Sequence, residues 1–450
     1  MNIKEDRELI DFNDFKMITD VRIDKFKDKN ILNIEINKNY ETSLILNYDM
    51  ELNEKKLFLT KEFFKKINKH RLQSLKSGIL NQVSMAISQN LTNKITKRKT
   101  YYIYHPVPLI GHTAFGLIDR GTNIIQVRGL CGCNINCPFC SVDEGMHSKT
   151  RKNDYYVDLD YLIEWYKKIV EFKGNKYLEA HLDGQGEPSL YHPLPELIQE
   201  LININREGKG IVSMQSNGVN LTYKLIDELE EAGLHRINLS INAIDEKMSR
   251  ILSGSRDYDI NHVLDIAEYI KNSKIHLLIS PLLLPSINDR DFKEVLDYAI
   301  ELERKNPQDI INPITNKRDP IIGAQLCLIY QFGRRIKKMN TWKFKKFYDL
   351  LKGYEEEYKK KEINIYLNTP LSKAFGSHKR KRLPMPFKVN SIVKTKILME
   401  GRIHREVIGV AKDRVIQVIN VKNPEKLIER EVKVKILRAR DNIFVGEIVK

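Results

Sequence analysis

Three cysteines lie close together in the first half of the 450-residue chain. Cys133, Cys137 and Cys140 are separated by three and then by two residues, the spacing C-x3-C-x2-C. Three thiolates on one loop can hold three corners of a four-iron, four-sulfur cluster and leave one iron without a protein ligand. An iron with an open coordination position can bind a substrate directly. The spacing therefore predicts a [4Fe–4S] cluster with one reactive corner.

Two other states of these thiols are compatible with the spacing. A structural zinc ion takes four protein ligands, and Cys131 would have to be the fourth because the nearest histidine is His147. Alternatively, the thiols bind no metal. A disulfide framework is disfavoured, because the chain has five cysteines, an odd number, and four of them lie within ten residues.

The residues around the cysteines predict the elements that must position them. Between about residue 120 and residue 330, short apolar runs alternate with amphipathic helices, and the six runs are TNIIQVRGL, KYLEAHLDG, GIVSMQSNG, RINLSINAI, IHLLISPLLL and IGAQLCLIYQFG. Such alternation predicts an α/β fold with a parallel sheet covered by helices, either an open doubly wound sheet or a partial barrel. Functional residues are then expected at the carboxyl ends of the strands.

The residues at these strand ends resemble those of a known family. C-x3-C-x2-C just after a first strand is the signature of the radical S-adenosylmethionine (SAM) superfamily, and other landmarks of that family follow in order. Gly-Gln-Gly-Glu-Pro at 184–188 resembles the family's Gly-Gly-Glu-Pro loop, and Ser-Asn-Gly at 216–218 resembles its Thr-Asn-Gly. Ser240 and Asn242 lie in the fourth run. The resemblance spans roughly residues 115 to 333 and implies a partial (β/α)6 barrel.

The resemblance also implies a role for each matching residue. The three cysteines would bind the cluster, whose open iron would bind SAM. An electron from a ferredoxin or flavodoxin then cleaves SAM, and the 5′-deoxyadenosyl radical that is released abstracts a hydrogen atom from the substrate. Glu187 would accept hydrogen bonds from the SAM amino group, and Phe139 would lie near the adenine. The other expected SAM contacts are Gly184, Gly186, Pro188, Ser216, Asn217, Ser240 and Asn242.

Cys327 is a further candidate residue. In the run Gln-Leu-Cys-Leu at 325–328, a period of two places Gln325 and Cys327 on one face, and a glutamine in an apolar strand is expected to face a polar barrel interior. Cys327 is therefore predicted to be catalytic, as an acceptor or hydrogen donor like the extra cysteines of the RNA-methylating branch of the superfamily. The alternative is a small buried core residue. Cys131 is expected to have no function of its own.

The chain is predicted to contain four regions. Residues 1–105 form an N-terminal α+β extension, 106–345 the radical SAM core, 346–385 a basic helical linker and 386–450 a small C-terminal β-barrel. The last region contains five short alternating strands, which is typical of a small closed barrel. Its strand order and length resemble those of the TRAM domain, an OB-like module of tRNA-modifying methylthiotransferases and uracil methyltransferases.

Charge is distributed unevenly along the chain. Residues 331–450 contain 31 basic and 13 acidic residues, a net charge of +18, whereas residues 1–330 have a net charge of −2. A one-sided basic excess is typical of a surface that binds a polyanion. The basic run at 378–382 and the barrel, with 15 basic and 8 acidic residues, therefore predict tRNA or rRNA as the partner. An exposed basic linker beside a solvated barrel is the alternative.

These features predict a cytoplasmic radical SAM enzyme that methylates or otherwise functionalises a C–H bond of a nucleoside in tRNA or rRNA. A membrane partner is not expected, because the longest apolar run, 275–287, contains Pro281 and Pro285. A two-cluster methylthiotransferase mechanism is disfavoured, because residues 1–130 contain no cysteine. A peptide or small-metabolite substrate and a non-enzymatic metal-cluster RNA-binding protein are the alternatives.

Overall fold

The chain divides into two compact units. The computed structural model describes residues 7–27 and 29–449. The first unit consists of Met1–Ile103 with Asn153–Tyr156, and the second of Tyr104–Lys152 with Val157–Lys450. Apart from Asn153–Tyr156, the regions predicted as core, linker and C-terminal barrel therefore belong to the second unit.

The first unit is mainly antiparallel β-structure with one long helix. Strands β1, β6 and β5 form one sheet, and β8, β7, β4, β3 and β2 follow one another in a second. In helix α2, buried residues recur every three or four positions and so share one face. The elements are β1 Glu8–Asp11, β2 Ile18–Phe26, β3 Lys29–Ile36, β4 Tyr40–Leu46, β5 Met50–Asn53, β6 Lys56–Leu59, α1 Lys61–Phe64, α2 Lys69–Gln89, β7 Leu91–Asn93 and β8 Lys99–Ile103.

The second unit begins with alternating strands and helices. Short 3-10 turns at Pro188–Leu190 and Arg206–Gly208 interrupt this pattern. The elements from Gly116 onward are β9 Gly116–Asp119, β10 Ile124–Arg128, β11 Asn153–Val157, of which Asn153–Tyr156 belong to the first unit, α3 Leu159–Lys173, β12 Glu179–Leu182, α4 Leu194–Asn205, β13 Ile211–Ser216, α5 Tyr223–Glu231, β14 Arg236–Leu239, α6 Glu246–Ser253, α7 Ile260–Lys271, β15 His276–Ile279, β16 Leu282–Leu283, α8 Asp289–Lys305, β17 Ile311–Asn312, β18 Lys317–Arg318, β19 Gln325–Leu326, α9 Phe344–Lys360 and α10 Leu371–Ala374.

The main sheet has the order β15-β14-β13-β12-β10-β9. The five strands from β10 to β15 pair in parallel, and β9 pairs antiparallel with β10 at the edge. Helices connect the successive parallel strands, and their ends carry ordinary capping signals. For example, the Asp158 side chain accepts a hydrogen bond from the Tyr161 N–H at the start of α3, and Gly174, with φ of 79°, ends it. The partial (β/α)6 barrel predicted from the sequence is confirmed.

The sixth strand of this barrel is much shorter than the apolar run that predicts it. Ile322 forms a single parallel bridge with Ile279, and the ladder resumes where β19 pairs with β16. The interruption falls at Pro281, which has no N–H to donate and whose carbonyl accepts from the Gln325 N–H. The strand predicted in IGAQLCLIYQFG is therefore present, but it is interrupted and covers only the first part of that run.

Strand β11 completes the second sheet of the first unit. It lies next to β8, although it follows the cysteine loop in sequence. The carboxylate of Asp154, which is fully buried, accepts hydrogen bonds from Arg98 at 3.0 Å and Asn93 at 3.1 Å. The Tyr156 ring packs edge-on against Tyr40 at 4.9 Å. The segment predicted to lie wholly in the core thus contributes a strand to the extension.

The chain ends in a closed barrel of five strands, as predicted. The strands are β20 Ile392–Glu400, β21 Val407–Ala411, β22 Arg414–Ile419, β23 Glu431–Arg440 and β24 Ile443–Ile448. They close in the order β20-β21-β22-β24-β23, with β22 and β24 parallel. Alternate residues such as Ile397, Ile416 and Phe444 fill the interior. None of the helices in the described ranges has the length and apolar character that a bilayer crossing needs.

Candidate functional site

The cysteine loop and the Glu187 loop are joined through their backbones. The Gly132 N–H donates to the Gln185 carbonyl at 3.0 Å, and the Glu187 N–H donates to the Gly132 carbonyl at 3.0 Å. A Cβ atom on Gly186 would lie 2.1 Å from the Gly132 carbonyl oxygen, so only glycine fits there. On Gly184, by contrast, a Cβ atom would meet nothing closer than 3.5 Å.

A single cavity of about 490 Å³ brings most of the predicted site residues together. Its volume is within the range of pockets that hold a cofactor-sized ligand. The predicted residues that line it are Cys133, Cys137, Phe139, Cys140, Gly184, Gly186, Glu187, Pro188, Ser216, Asn217, Ser240 and Asn242. They come from the ends of four parallel strands, where the sequence predicted them.

Glu187 is the most tightly held of these side chains. It is 2% exposed, and its carboxylate accepts hydrogen bonds from the Ser216 hydroxyl at 2.8 Å and the Asn217 N–H at 2.8 Å. Burial raises the pKa of Glu187, while these hydrogen bonds oppose the shift. A cationic group bound in the cavity would favour the charged form further. Ser216 and Asn217 thus position the carboxylate from the third strand.

Burial also raises the pKa of the three cysteine thiols. The pKa of Cys137 rises to about 12, with the neighbouring Cys140 adding to the shift. That of Cys133 lies well above its usual value because of burial and the nearby Glu187 carboxylate. The pKa of Cys140 is raised by burial as well. Each thiol must lose its proton to bind iron, so cluster assembly here releases protons.

The donor set fits an iron–sulfur cluster. Within residues 7–27 and 29–449, no three His, Cys, Asp or Glu side chains converge on a point where one metal ion could bind. In a [4Fe–4S] cluster each cysteine binds a different iron, so the three sulfur atoms do not share one metal. The Asn217 amide donates toward the Cys133 sulfur at 3.6 Å and to the Asn134 side chain at 2.8 Å. Such contacts from amides stabilise cysteine sulfur in clusters.

Ser240 and Asn242 already have partners inside the protein. The Ser240 hydroxyl accepts from the Gln215 side chain at 2.8 Å. The Asn242 side-chain oxygen accepts from the Leu282 N–H at 2.9 Å and so holds the turn after β15. Both residues also line the cavity, and their contact with SAM stays a prediction.

Cys327 lies beside the cysteine loop in a hydrophobic cluster. The cluster contains Phe139, Leu252 and Met339, with Cys137 packed against it. Cys327 is 9% exposed, and burial raises its pKa. Its neighbour Gln325 is exposed and lines the cavity. These surroundings match the alternative of a small core residue, and a catalytic role for Cys327 stays a prediction.

The barrel interior contains polar residues that the sequence analysis did not single out. Arg128 ends β10 and Asp183 follows β12, and they form a bidentate ion pair at 2.9 and 3.0 Å. Burial opposes ionisation of Asp183, but Arg128 holds its pKa below the usual value. His181 lies deeper, 2.8 Å from the Ser213 hydroxyl, and burial lowers its pKa. The rule that strand ends carry the site would have found the ion pair.

A second cavity of about 250 Å³ lies toward the amino ends of the strands. It shares His181 and Gln325 with the first cavity. On its wall, Arg236 bridges Glu179 and Asp319, each at 2.5 Å. One guanidinium thus lies between two carboxylates and is fully used by contacts inside the protein.

The C-terminal barrel contributes a buried arginine to the cysteine loop. Arg402, in the turn between β20 and β21, donates to the Cys131 sulfur at 2.7 Å and to the Glu144 carboxylate. The Glu144 N–H in turn donates toward the Cys140 sulfur at 3.3 Å. The Arg402 carbonyl accepts from the Lys152 N–H at 2.8 Å. Sequence gives no signal of this contact, because 258 residues separate Arg402 from Glu144.

Comparison with known proteins identifies the family. The model of the radical SAM superfamily matches residues 128–299, which contain the cysteine loop and the Glu187 loop. Residues 128–299 of this chain are a radical SAM domain. Its cofactors are therefore a [4Fe–4S] cluster and SAM, the pair that radical SAM enzymes use.

Two curated proteins illustrate how far the likeness to known proteins extends. An uncharacterized protein of Methanocaldococcus jannaschii, MJ0103, is 64% identical over 443 residues, which are 98% of this chain and 99% of that protein. GTP 3',8-cyclase of Helicobacter pylori is 28% identical over 181 residues, which are 40% of this chain and 53% of the cyclase. The chain thus matches about half the length of the cyclase.

Two solved structures with bound S-adenosylmethionine (AdoMet) are also similar to this chain. Streptococcus suis SuiB bound to S-adenosylmethionine is 15% identical and matches 80% of this chain and 75% of its own, with a TM-score of 0.40. Native anSMEcpe with bound AdoMet is 18% identical and matches 64% of this chain and 73% of its own, with a TM-score of 0.42.

Proposed function

We propose that this radical SAM enzyme acts on tRNA or rRNA and methylates or otherwise functionalises a C–H bond of one nucleoside. The observation that carries the proposal is the one-sided charge, since residues 331–450 have a net charge of +18 and the rest of the chain −2. A basic surface binds phosphates without reading sequence, which suits a polymeric polyanion. The basic residues belong to the same compact unit as the cavity.

The polar groups that line the cavity are suited to bind an uncharged part of the substrate through hydrogen bonds. Arg128 lines the cavity, but its guanidinium is already paired with Asp183. Burial favours the neutral form of His181. Gln215 and Gln325 add amide donors and acceptors. A nucleobase presents uncharged groups of this kind, whereas its phosphates would be bound better outside the cavity.

In this proposal, the protein's own residues bind and orient the reactants. Cys133, Cys137 and Cys140 bind three irons, and Glu187 accepts hydrogen bonds from the SAM amino group. When bound, the cluster and SAM supply a 5′-deoxyadenosyl radical. The remaining predicted SAM contacts are Phe139, Gly184, Gly186, Pro188, Ser216, Asn217, Ser240 and Asn242. A ferredoxin or flavodoxin delivers the electron, and the enzyme works in the cytoplasm.

A reaction on a free nucleotide is the second candidate function. The 28% identity with GTP 3',8-cyclase over 181 residues favours it. A triphosphate is bound by cationic side chains, and the pairing of Arg128 with Asp183 counts against a triphosphate site in this cavity. The two candidates differ in the compound that accelerates SAM cleavage.

The test uses enzyme reconstituted with iron and sulfide without oxygen. It is incubated with SAM, a reductant and either total tRNA, rRNA or GTP, and 5′-deoxyadenosine and the nucleosides of digested RNA are measured by mass spectrometry. We expect RNA to increase 5′-deoxyadenosine and to yield a nucleoside of new mass, and the Cys137→Ala variant to give neither. If GTP alone accelerates cleavage and the nucleosides are unchanged, the second candidate replaces the first.

A further inference from the structure

The segment Leu328–Tyr348 combines basic and aromatic residues without any acidic residue. We call it the basic-aromatic segment. Its seven basic residues are Arg334, Arg335, Lys337, Lys338, Lys343, Lys345 and Lys346. Its six aromatic residues are Tyr330, Phe332, Trp342, Phe344, Phe347 and Tyr348. Interleaved cations and aromatic rings are the combination with which proteins bind single-stranded nucleic acids.

The inner side of the basic-aromatic segment is fixed to the cysteine loop. The Arg334 side chain donates to the Asp143 carboxylate at 2.6 Å and to the Cys137 carbonyl at 3.1 Å. The Arg334 N–H donates to the Cys140 carbonyl at 2.8 Å. Met339 is buried in the cluster that contains Phe139. Since Cys137 and Cys140 line the main cavity, the segment lies beside that cavity.

The outer side of the segment is open to solvent. Tyr330 is 52% exposed, Phe332 46% and Phe344 50%. Neighbouring exposed aromatic rings typically mark a surface that binds a partner molecule. All the basic residues of the segment except Arg334 are exposed as well. In the part of the chain that the structure describes, none of these exposed cations forms an ion pair. Their charges are therefore available to phosphates.

In the C-terminal barrel, in contrast, the loops with which such barrels often bind nucleic acids pack against other parts of this chain. Five-stranded barrels of the OB type bind oligonucleotides through strands 2 and 3 and the loops 1–2 and 4–5. In this barrel, loop 1–2 carries the buried Arg402, and the Asn442 side chain in loop 4–5 donates to the Leu383 carbonyl at 3.0 Å. The Val415 N–H in strand 3 donates to the Ile110 carbonyl at 2.8 Å. These surfaces are covered by the same chain.

Two side chains of the basic run at 378–382 also contact other parts of the chain. Arg380 donates to the carbonyls of Lys173 and Gly174 at the end of α3, at 2.6 and 3.0 Å. The Lys381 ammonium lies 4.0 Å from the centre of the Phe172 ring. The run therefore leaves fewer free charges than its sequence suggests.

We propose that the basic-aromatic segment is the docking surface for a single-stranded stretch of RNA, an inference that rests on the proposed function. Arg335, Lys337 and Lys338 bind phosphates, and bases stack on the exposed rings of Tyr330 and Phe332. Bases in a duplex are already stacked, so the surface prefers unpaired RNA. Docking here brings a nucleotide of that strand beside the cavity.

The charge arm of the test replaces Arg335, Lys337 and Lys338 together by Glu. Binding of a fluorescein-labelled 20-nucleotide single-stranded RNA is followed by anisotropy between 50 and 300 mM salt. Loss of three phosphate contacts lowers the slope of log affinity against log salt by about 2, and affinity falls by about 100-fold at low salt. The matched control replaces the exposed Lys224, Lys274 and Lys305 by Glu, an equal change of net charge elsewhere on the same unit.

The stacking arm replaces Tyr330 and Phe332 by Ala, which we expect to weaken binding by about 10-fold or more without changing the salt slope. SAM cleavage without RNA serves as the check of folding. If both triple variants lose affinity equally, or if the Arg335 triple variant binds like wild type, this docking surface is wrong while RNA remains the substrate. If wild-type enzyme binds neither this RNA nor tRNA, the proposed function fails as well.

Discussion

The substitution Arg402→Met tests whether the C-terminal barrel holds the cysteine loop in place. Arg402 and Glu144 are each 2% exposed and form an ion pair. Methionine fills a similar volume without charge, so the Glu144 carboxylate stays buried near Arg151, whose Nε lies 3.9 Å away. Removing one partner of a buried pair costs about 3 to 5 kcal/mol. Because Arg151 remains, we expect the lower end, a loss of about 3 kcal/mol in the free energy of unfolding.

Urea unfolding followed by tryptophan fluorescence measures this loss. The chain has two tryptophans, Trp165 and Trp342, and both belong to the second unit, so the signal reports on that unit. The matched control is Arg405→Met, in the same turn but exposed, for which we expect a change within about 0.5 kcal/mol. If Arg402→Met and Arg405→Met unfold at the same urea concentration, the pair does not hold the loop.

Three further substitutions test the site itself. Gly186→Ala places a methyl group 2.1 Å from the Gly132 carbonyl oxygen, so the reconstituted variant should retain less iron than wild type. In Gly184→Ala the nearest atom to the new methyl group lies at 3.5 Å, and this variant should retain as much iron as wild type. Equal iron contents in the two variants would contradict the steric argument. Glu187→Gln removes a charged acceptor and should weaken SAM binding by about 10- to 100-fold in equilibrium dialysis with unchanged iron content; unaltered affinity would exclude the amino-group contact. Cys137→Ala should abolish the visible absorption of the reconstituted [4Fe–4S] cluster, and a spectrum like that of wild type would refute the ligand assignment.

The central part of the site could be predicted from sequence because its residues obey a local rule. Cys133, Glu187 and Asn217 each follow a parallel strand, and the carboxyl ends of parallel strands meet at one edge. The order of short motifs along the chain was therefore enough to place them in one cavity. The five strands of the C-terminal barrel were equally readable, because alternation with period two is a property of each strand alone.

Contacts between distant segments could not be predicted in this way. The contact of Arg402 with Cys131 and Glu144 depends on how a folded barrel packs on the core, and nothing near Arg402 in sequence marks it. The short last strand had a visible cause, Pro281, but its effect falls on the neighbouring residues 322–326. The contact of the Asn136 N–H with the Ser253 carbonyl at 2.8 Å, which joins the cysteine loop to the last residue of α6, likewise has no signal in the sequence around either residue.

The position of β11 has a consequence for how the protein is made. During translation, roughly 50 residues are added after Ile103 before the chain reaches Tyr156, the last residue of the first unit. At about 5 to 20 residues per second, the growing chain waits about 3 to 10 s with the hydrogen-bonding edge of β8 uncovered. The three cluster cysteines are synthesised within that interval. The nascent extension therefore closes its sheet only after the thiols have been added to the chain.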